Sequence, residues 1–411
     1  MTRSTIVFLF LLMTLAVSMK ATTARAAEPA DLAPQLRKLR AVGLQGQGHR
    51  DAIQAWKQLS QADVNQLPAI LGGMKGAGKL ADNWFRAVVE TVAQRQLDGG
   101  GKLPIPALEK FLADTTQSPR ARRLAYELVA QVDKTAEQRL IAPLIDDPSL
   151  ELRRNAIELA LKAADARLKA GEKEQVTQDY RRVLHASRDL DQIKEAAEKL
   201  RELDQQVDLP RHMGFVLRWK LIGPFDNTGG IGFDKIYPPE NGVNLAATYE
   251  GKVGQVRWQD YATEDDFGIV DLNEGYKRPK KKKDSAYEIT DEHKGTVAYA
   301  YAEFDSAESR SADFRIGCIN ANKLWLNGTL LTANQVYHSG MEVDQYVMQT
   351  KLKKGRNTIL VKVAQNEQEE SWAQRWQFQL RICDELGTAL LSQDRVALKR
   401  GNAPNDRVTR R

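Results

Sequence analysis

Reactive side chains are scarce in this sequence. Only two cysteines occur, Cys318 and Cys383, and the five histidines, His49, His185, His212, His293 and His338, are scattered without ligand spacing, which argues against a transition-metal site. No C-x-x-C, H-E-x-x-H or G-x-S-x-G occurs, so the common thiol, zinc-hydrolase and serine-hydrolase signatures are missing. Strand alternation puts Cys318 on one face with Phe314 and Ile316 but Cys383 on the other with Arg381, which argues against a disulfide. An excess of one charge is lacking too. The chain carries 60 Lys and Arg against 54 Asp and Glu, a formal +6; the first 26 residues hold Arg3, Lys20 and Arg25 and no acid, so the remainder carries 6 − 3 = +3. Such a balanced surface is not the footprint of a nucleic-acid binder.

Long apolar runs are confined to residues 6–17. With Arg3 before them and Ala24-Arg25-Ala26 after, they read as a signal peptide over 1–26, and the product is expected to be exported, periplasmic or extracellular. Twelve apolar residues reach about 18 Å as a helix against a hydrocarbon core of about 30 Å, so no stable membrane span is expected once the leader is removed.

From 31 to 207 the apolar residues recur at helical spacing, in five pairs of segments: 31–42 with 48–60, 62–75 with 80–96, 103–114 with 118–132, 135–145 with 148–164, and 172–186 with 189–206. Ser118-Pro119 and Asp147-Pro148 each offer an N-cap acceptor followed by a proline suited to N1. Arg122-Arg123 and Arg153-Arg154 stand 31 residues apart at equivalent places, a spacing that suggests stacked helix pairs. These arginines are expected to satisfy carbonyls or acidic neighbours rather than form a basic surface, because Glu127, Glu151 and Glu158 are interleaved with them. Residues 73–79 (GMKGAGK) mimic a phosphate loop, but Leu80 stands where Mg²⁺ needs a hydroxyl and 64–71 reads as helix, so a tight turn between helices is expected.

The rhythm changes at Leu209-Pro210. Residues 215–222 alternate as a strand that Gly223-Pro224 should end, and an irregular stretch rich in Gly, Asn and Pro follows over 225–244. Further strands are expected at 256–261, 268–272, 296–304, 312–319, 345–352, 357–363 and 376–383, with a two-residue type I′ hairpin at Asn327-Gly328 inside 323–331 (KLWLNGTLL). In 297–302 (VAYAYA) both faces are apolar, so this strand should be central and covered on both sides. The basic run 277–283 (KRPKKKK) reads as a loop, and the tail 396–411 as disordered.

Residues 147–161 (DPSLELRRNAIELAL) resemble the second helix of a HEAT repeat, and 172–206 is similar to a tetratricopeptide hairpin. Trp219 to Asn227 (WKLIGPFDN), then 232–234 (GFD), 237–240 (YPPE), KLWLNG, 352–363 (LKKGRNTILVKV) and 376–382 (WQFQLRI), is similar to the galactose-binding-like jelly roll, related to the sugar-binding domain of family 2 glycoside hydrolases. These resemblances imply a multidomain chain, α then β: an N-terminal α-solenoid of helix pairs over 27–208 and a C-terminal antiparallel β-sandwich (jelly roll) over 209–395. They further imply a non-catalytic protein without a cofactor, whose repeats contact a protein partner and whose sandwich binds carbohydrate or packs on a neighbour.

Aromatic residues carry the ligand expectation. Trp219, Tyr299, Tyr301 and Trp376 fall on apolar strand faces and should be core. Tyr337, His338 and Trp372 lie in or beside loops near Asp344 and Arg375; a ring can take the apolar face of a sugar while carboxylate and guanidinium groups take its hydroxyls. Tyr337, His338, Asp344, Trp372 and Arg375 are therefore the candidate ligand set, the alternative being that the rings pad loop bases. Asp226 and Asp234, separated by flexible glycines, are a minor Ca²⁺ candidate without EF-hand spacing, for which ordinary turn chemistry is the simpler account. The functional expectation is an exported binding protein; a scaffold whose sandwich caps the repeats, or an accessory module of a glycan-degrading system, remain alternatives.

Overall fold

The computed structural model describes residues 31–276 and 293–395. The signal-peptide reading of 1–26, the basic run 277–283 and the 396–411 tail lie outside the described residues. Helices fill the first half and antiparallel strands the second. The chain falls into two compact units, one made of residues up to Leu112 with Arg120–Leu128, the other of Ala113–Pro119 and everything from Val129 onward.

The first unit contains α1 (Ala33–Arg40), α2 (His49–Leu59), α3 (Leu67–Gly72), α4 (Lys79–Asp98), nearly all of α5 (Ile105–Ala113) and the middle of α6 (Pro119–Val132). Leu39, Ala52, Leu59, Ile70, Leu71, Phe85, Val88 and Val92 are buried, the i, i+3, i+4 stripes of amphipathic helices. Side chains close the helix ends. Arg40 Nη2 donates to Gly73 O at 2.8 Å, Arg95 reaches Ser60 O and Ala62 O beyond α2, and Arg122 Nε donates to Leu112 O at 2.6 Å. The phosphate-loop mimic is the turn between α3 and α4. A Cβ on Gly73 would stand 2.5 Å from Phe85 Cε1, so this glycine is there for close packing.

In the second unit, short turns over Glu137–Ile141 and Ala142–Leu144 precede α7 (Leu150–Lys169), α8 (Lys173–Ala186), α9 (Leu190–Glu202) and α10 (Leu209–Met213). The predicted caps need correction. Ser149, not Asp147, is the N-cap of α7 and accepts from Leu152 N, while Asp147 Oδ1 holds Ser149 N at 2.8 Å; Ser118 caps α6 by position but makes no side-chain cap bond. The paired arginines do divide their work as expected. Arg153 donates to Asp147 O and Asp146 O from a buried position, whereas Arg154 Nη1 meets Asp191 at 2.8 Å and Arg123 Nε meets Glu127 at 3.0 Å near the surface.

The strands are β1 (Arg218–Asp226), β2 (Thr248–Gly251), β3 (Gly254–Arg257), β4 (Gln259–Ala262), β5 (Val270–Asp271), β6 (Thr296–Ser306), β7 (Arg310–Cys318), β8 (Ala321–Leu326), β9 (Thr329–Asn334), β10 (Tyr346–Leu352), β11 (Gly355–Gln365) and β12 (Gln377–Cys383). They form a six-stranded sheet in the order β4-β1-β6-β11-β8-β9, a four-stranded sheet β10-β7-β12-β5, and the β2-β3 hairpin. The two larger sheets share one core. Trp219, Leu221, Ala298, Ala300, Leu324, Ile359 and Val361 from one sheet pack with Phe314, Ile316, Phe378, Leu380 and Ile382 from the other. As predicted, β6 is central and covered on both faces, its alanines in this core and Val297, Tyr299 and Tyr301 in a second one. Asn327 and Gly328 have φ of 52° and 81°, the two positive angles of the expected turn. Gly223-Pro224 does not end β1: the peptide is cis, the register to β6 shifts there, and the strand resumes to Asp226. The strand expected at 256–261 is split between β3 and β4, and β2 was not anticipated, because strands of four residues with half-exposed side chains carry too little periodicity.

Helix α9 and the α8–α9 loop are tied to loops that flank the strands of their own unit. Arg188 Nη2 donates to Thr388 Oγ1 at 3.1 Å, Arg201 pairs with Asp266 at 2.6 Å, and Lys194 Nζ sits 5.0 Å above the Phe267 ring. His212 of α10 is held there neutral. Burial, with the charges of Arg188 and Arg381 and the nearby His185, pushes its pKa from 6.5 down to about 4.

The second core lies on the outer face of the six-stranded sheet, where Phe225, Phe233, Tyr237 and Tyr299 are covered by the irregular stretch after β1. Lys362 of β11 points into it with no exposed surface. Its ammonium donates to Phe233 O at 2.9 Å, Lys235 O at 2.8 Å and Glu240 Oε1 at 2.8 Å, with the Tyr237 and Tyr299 rings 5.6 and 5.7 Å away. Burial lowers its pKa, and Glu240 opposes that fall.

Lys362→Met removes one partner of a buried pair and strands Glu240 and two carbonyls, so urea unfolding should show a loss of about 3 kcal/mol or more; a loss below about 1 kcal/mol would mean the tie is dispensable. For His212 the unfolded chain binds a proton below about pH 6.5 and the folded chain only below about 4, so stability falls as pH drops through that window. His212→Gln should remove up to ~1.4 kcal/mol per pH unit of that slope, read from unfolding midpoints between pH 7 and 4; an unchanged slope would place the titration elsewhere.

Candidate functional site

One end of the six-stranded sheet gathers irregular chain from five places: the segment following β1, the β2-β3 turn, the lead into β6, residues 336–338 after β9, and 366–373 after β11. Backbone leaving a sheet has no ladder partner, so it needs side chains to satisfy it. Lys294 Nζ, buried, donates to Gln368 O and to Ala373 O at 3.0 Å, pinning both flanks of a short turn, Ser371–Ala373. Trp372 stands on that turn with 55% of its surface exposed.

His338 braces Trp372 edge-on at 5.2 Å between ring centroids, and Tyr337 lies 6.4 Å from His338. His338 has φ of 56°, a left-handed backbone that turns its ring toward Trp372. Its Nε2 bonds Asn366 Oδ1 at 2.8 Å. Asn366 is in turn oriented by Gln368, whose N donates to Oδ1 and whose Oε1 accepts from Nδ2, so His338 must supply the proton. Nδ1 has no partner among the described residues. Asn227 Nδ2 donates to Gln365 O at 2.9 Å and to the Tyr337 hydroxyl at 3.3 Å, while its own Oδ1 has no partner among the described residues. Burial raises the Tyr337 pKa, so the phenol stays protonated.

The structure divides the five predicted ligand residues. Tyr337, His338 and Trp372 come together. Arg375 is exposed two residues beyond the turn. Asp344 lies apart, on the outer face of the four-stranded sheet, where it accepts from Arg381 Nε and Nη2 and from Arg315 Nη1 at 2.9 Å. Burial works to raise its carboxyl, but the two guanidiniums outweigh it and hold the pKa below the ordinary range. Asp344 therefore anchors the far end of the loop that carries His338. Asn227, Asn366 and Lys294 were missed, since isolated amides and a lone lysine at strand ends carry no spacing that marks them.

Asp226 and Asp234 face different cations. Asp226 Oδ1 accepts from the Thr228 hydroxyl and N, and its pKa is lowered by that hydroxyl bond; Lys252 Nζ lies 3.6 Å away, while Asp234 pairs with Lys323 at 3.5 Å. Lys252 Nζ also donates to Lys294 O and Gly295 O, both at 2.8 Å. Its ammonium stands where a hard cation would sit among those oxygens. Among the described residues no three His, Cys, Asp or Glu side chains converge on one point. Both cysteines are free and buried, with burial raising Cys318 to about 12 and Cys383 to about 11. A groove of about 910 Å³ bounded by Glu308, Arg310, Asp313, Gln349, Lys351 and Asp384 offers charge but no ring, so it lacks the apolar platform of the Trp372 end.

Comparison with known proteins gives little. No family model matches, and no curated protein matches. Among solved structures, the chain is similar to β-glucosidase from Kluyveromyces marxianus at 13% identity over 21% of this chain and 11% of that one, with a TM-score of 0.18. The same enzyme in complex with glucose aligns at 15% identity over 23% and 10%, TM-score 0.18. A GH31 α-xylosidase from Xanthomonas citri aligns at 10% identity over 42% of this chain and 18% of that chain, TM-score 0.20. The chain thus spans less than a fifth of the length of these structures, and likenesses at such scores carry no argument about its activity.

Proposed function

We propose that this is an exported, periplasmic or extracellular, non-catalytic binding protein. Its helix pairs form a HEAT- or tetratricopeptide-like solenoid that contacts a protein partner, and its sheets form a jelly-roll sandwich that binds carbohydrate. The observation carrying the carbohydrate reading is Trp372: a large ring, half out in solvent, braced by His338 and set on a turn whose two flanks one buried lysine holds. A pyranose ring has an apolar face that stacks on an indole and a rim of hydroxyls that need donors and acceptors. Glu367, Gln368 and Arg375 lie within three or four residues of Trp372 or of the Asn366 that orients His338.

A second reading, a scaffold whose sandwich caps the helices without a ligand, has its own support. The ties from Arg188, Arg201 and Lys194 to the strand-bearing part of their unit are what a structural cap requires.

The two readings part on one experiment. A glycan array followed by calorimetry on the purified chain should find a neutral oligosaccharide that binds with a Kd of millimolar or tighter, and Trp372→Ala should weaken it by about tenfold or more while leaving the unfolding midpoint unchanged. No binding at near-millimolar sensitivity, or binding that Trp372→Ala leaves intact, would overturn the carbohydrate reading and favour the scaffold.

A further inference from the structure

The sequence contains two Asn-Gly pairs, Asn241-Gly242 and Asn327-Gly328. In any such pair the Gly nitrogen can attack the Asn side-chain carbon: a C–N bond forms, the C–N bond to the amide nitrogen breaks, and ammonia leaves. The resulting succinimide is opened by water to aspartate or isoaspartate. Attack requires the amide to rotate onto the following peptide nitrogen, and a glycine there leaves the path open. Both pairs are exposed, and neither glycine has a neighbour that a Cβ would touch. Their amides differ.

Asn327 is clamped. Its Nδ2 donates to Asn357 Oδ1 at 2.9 Å and its Oδ1 accepts from Thr358 N at 3.0 Å, while its own backbone N donates to Thr358 O at 2.8 Å. Ring closure would have to break both side-chain bonds. The Asn241 amide makes no hydrogen bond among the described residues, and Asn241 is the last residue of a four-residue 3-10 turn, Pro238–Asn241, before Gly242 at φ of 138°.

We infer that Asn241 is a site of spontaneous deamidation and isomerisation, and that Asn327 is protected from it by its hydrogen bonds to β11. The location gives the modification a consequence. Glu240, the residue before it, accepts from Lys362 Nζ and from the Tyr299 hydroxyl, and so holds the stretch after β1 onto the second core. Aspartate at 241 places a second carboxylate beside Glu240, and isoaspartate adds a methylene to the main chain immediately after it. The modified chain loses register at the residue that fastens the covering segment.

The test is to incubate the intact chain at pH 8 and 37 °C, digest it at intervals, and follow the gain of about one mass unit in the peptides containing each pair, with isoaspartate confirmed by enzymatic methylation. The same chain held in denaturant gives the rate of each pair without structure. Asn241 should convert at a rate close to its denatured value, and Asn327 at least about tenfold slower than its own, the loss of two hydrogen bonds being worth that factor. Asn357→Ala, which removes one clamp, should speed Asn327 and leave Asn241 unchanged. Aged protein enriched in isoaspartate at 241 should unfold at lower urea than fresh protein, whereas Asn241→Gln should not age. Equal protection of both pairs, faster conversion of Asn327 in the folded chain, or ageing that Asn241→Gln fails to stop would overturn the assignment.

Discussion

Irregular backbone on a sheet must find donors for its carbonyls, and here lysine ammoniums supply them. Lys362 collects Phe233 O and Lys235 O, Lys252 collects Lys294 O and Gly295 O, and Lys294 collects Gln368 O and Ala373 O. An ammonium has three donors and no acceptor, so one side chain can gather two carbonyls and a carboxylate that belong to distant parts of the chain. Burying such a charge is costly unless every donor is used. At Lys362 every donor is. The second core, with Phe225, Tyr237 and Tyr299, lies beneath the stretch that is fastened there. Charge therefore does in this half what a disulfide would do in a small secreted domain, while both cysteines stay free.

Periodic features were legible in the sequence and singular ones were not. The burial of β6 on both faces and the positive φ at Asn327-Gly328 come from repeated or local signals and appear in the structure, whereas the change of rhythm expected at Leu209-Pro210 comes later, after helix α10 (Leu209–Met213) and at β1 from Arg218. Strand β1 running through Gly223-Pro224 was not readable, because a register shift against β6 accommodates the proline and no local rule reports a partner strand. The lysines that tie loops were invisible for the same reason. Lys362 reads as a polar residue on an alternating strand, and only the chain passing over it makes that position interior. At the candidate site, proximity in sequence grouped Asp344 with Tyr337 and His338, whereas its partners Arg315 and Arg381 come from the neighbouring strands β7 and β12.

The helical half follows a related economy with arginine. Where a helix ends against another, Arg40, Arg95, Arg122 and Arg153 each turn a guanidinium onto backbone carbonyls, and the outward neighbours Arg123 and Arg154 take carboxylates. Planar donors reach two carbonyls at once, which suits the several unsatisfied groups at a helix C-terminus. The Arg122-Arg123 and Arg153-Arg154 pairs both show this division of labour. It leaves the outward face mixed in sign, consistent with the balanced charge of the chain.

The same ties decide what Trp372 is able to do. An exposed indole on a free loop would lose conformational freedom on meeting a ligand, and that cost would cancel much of the stacking gain. Lys294 removes most of the cost beforehand by fixing Gln368 and Ala373 on either side, and His338, oriented through Asn366 and Gln368, sets the ring's angle. The residues with polar capacity around it combine amides and an imidazole with the charged Glu367 and Arg375, so both donors and acceptors are at hand for hydroxyls. A half-exposed ring on a turn tied at Gln368 and Ala373 is the arrangement that the proposed platform requires.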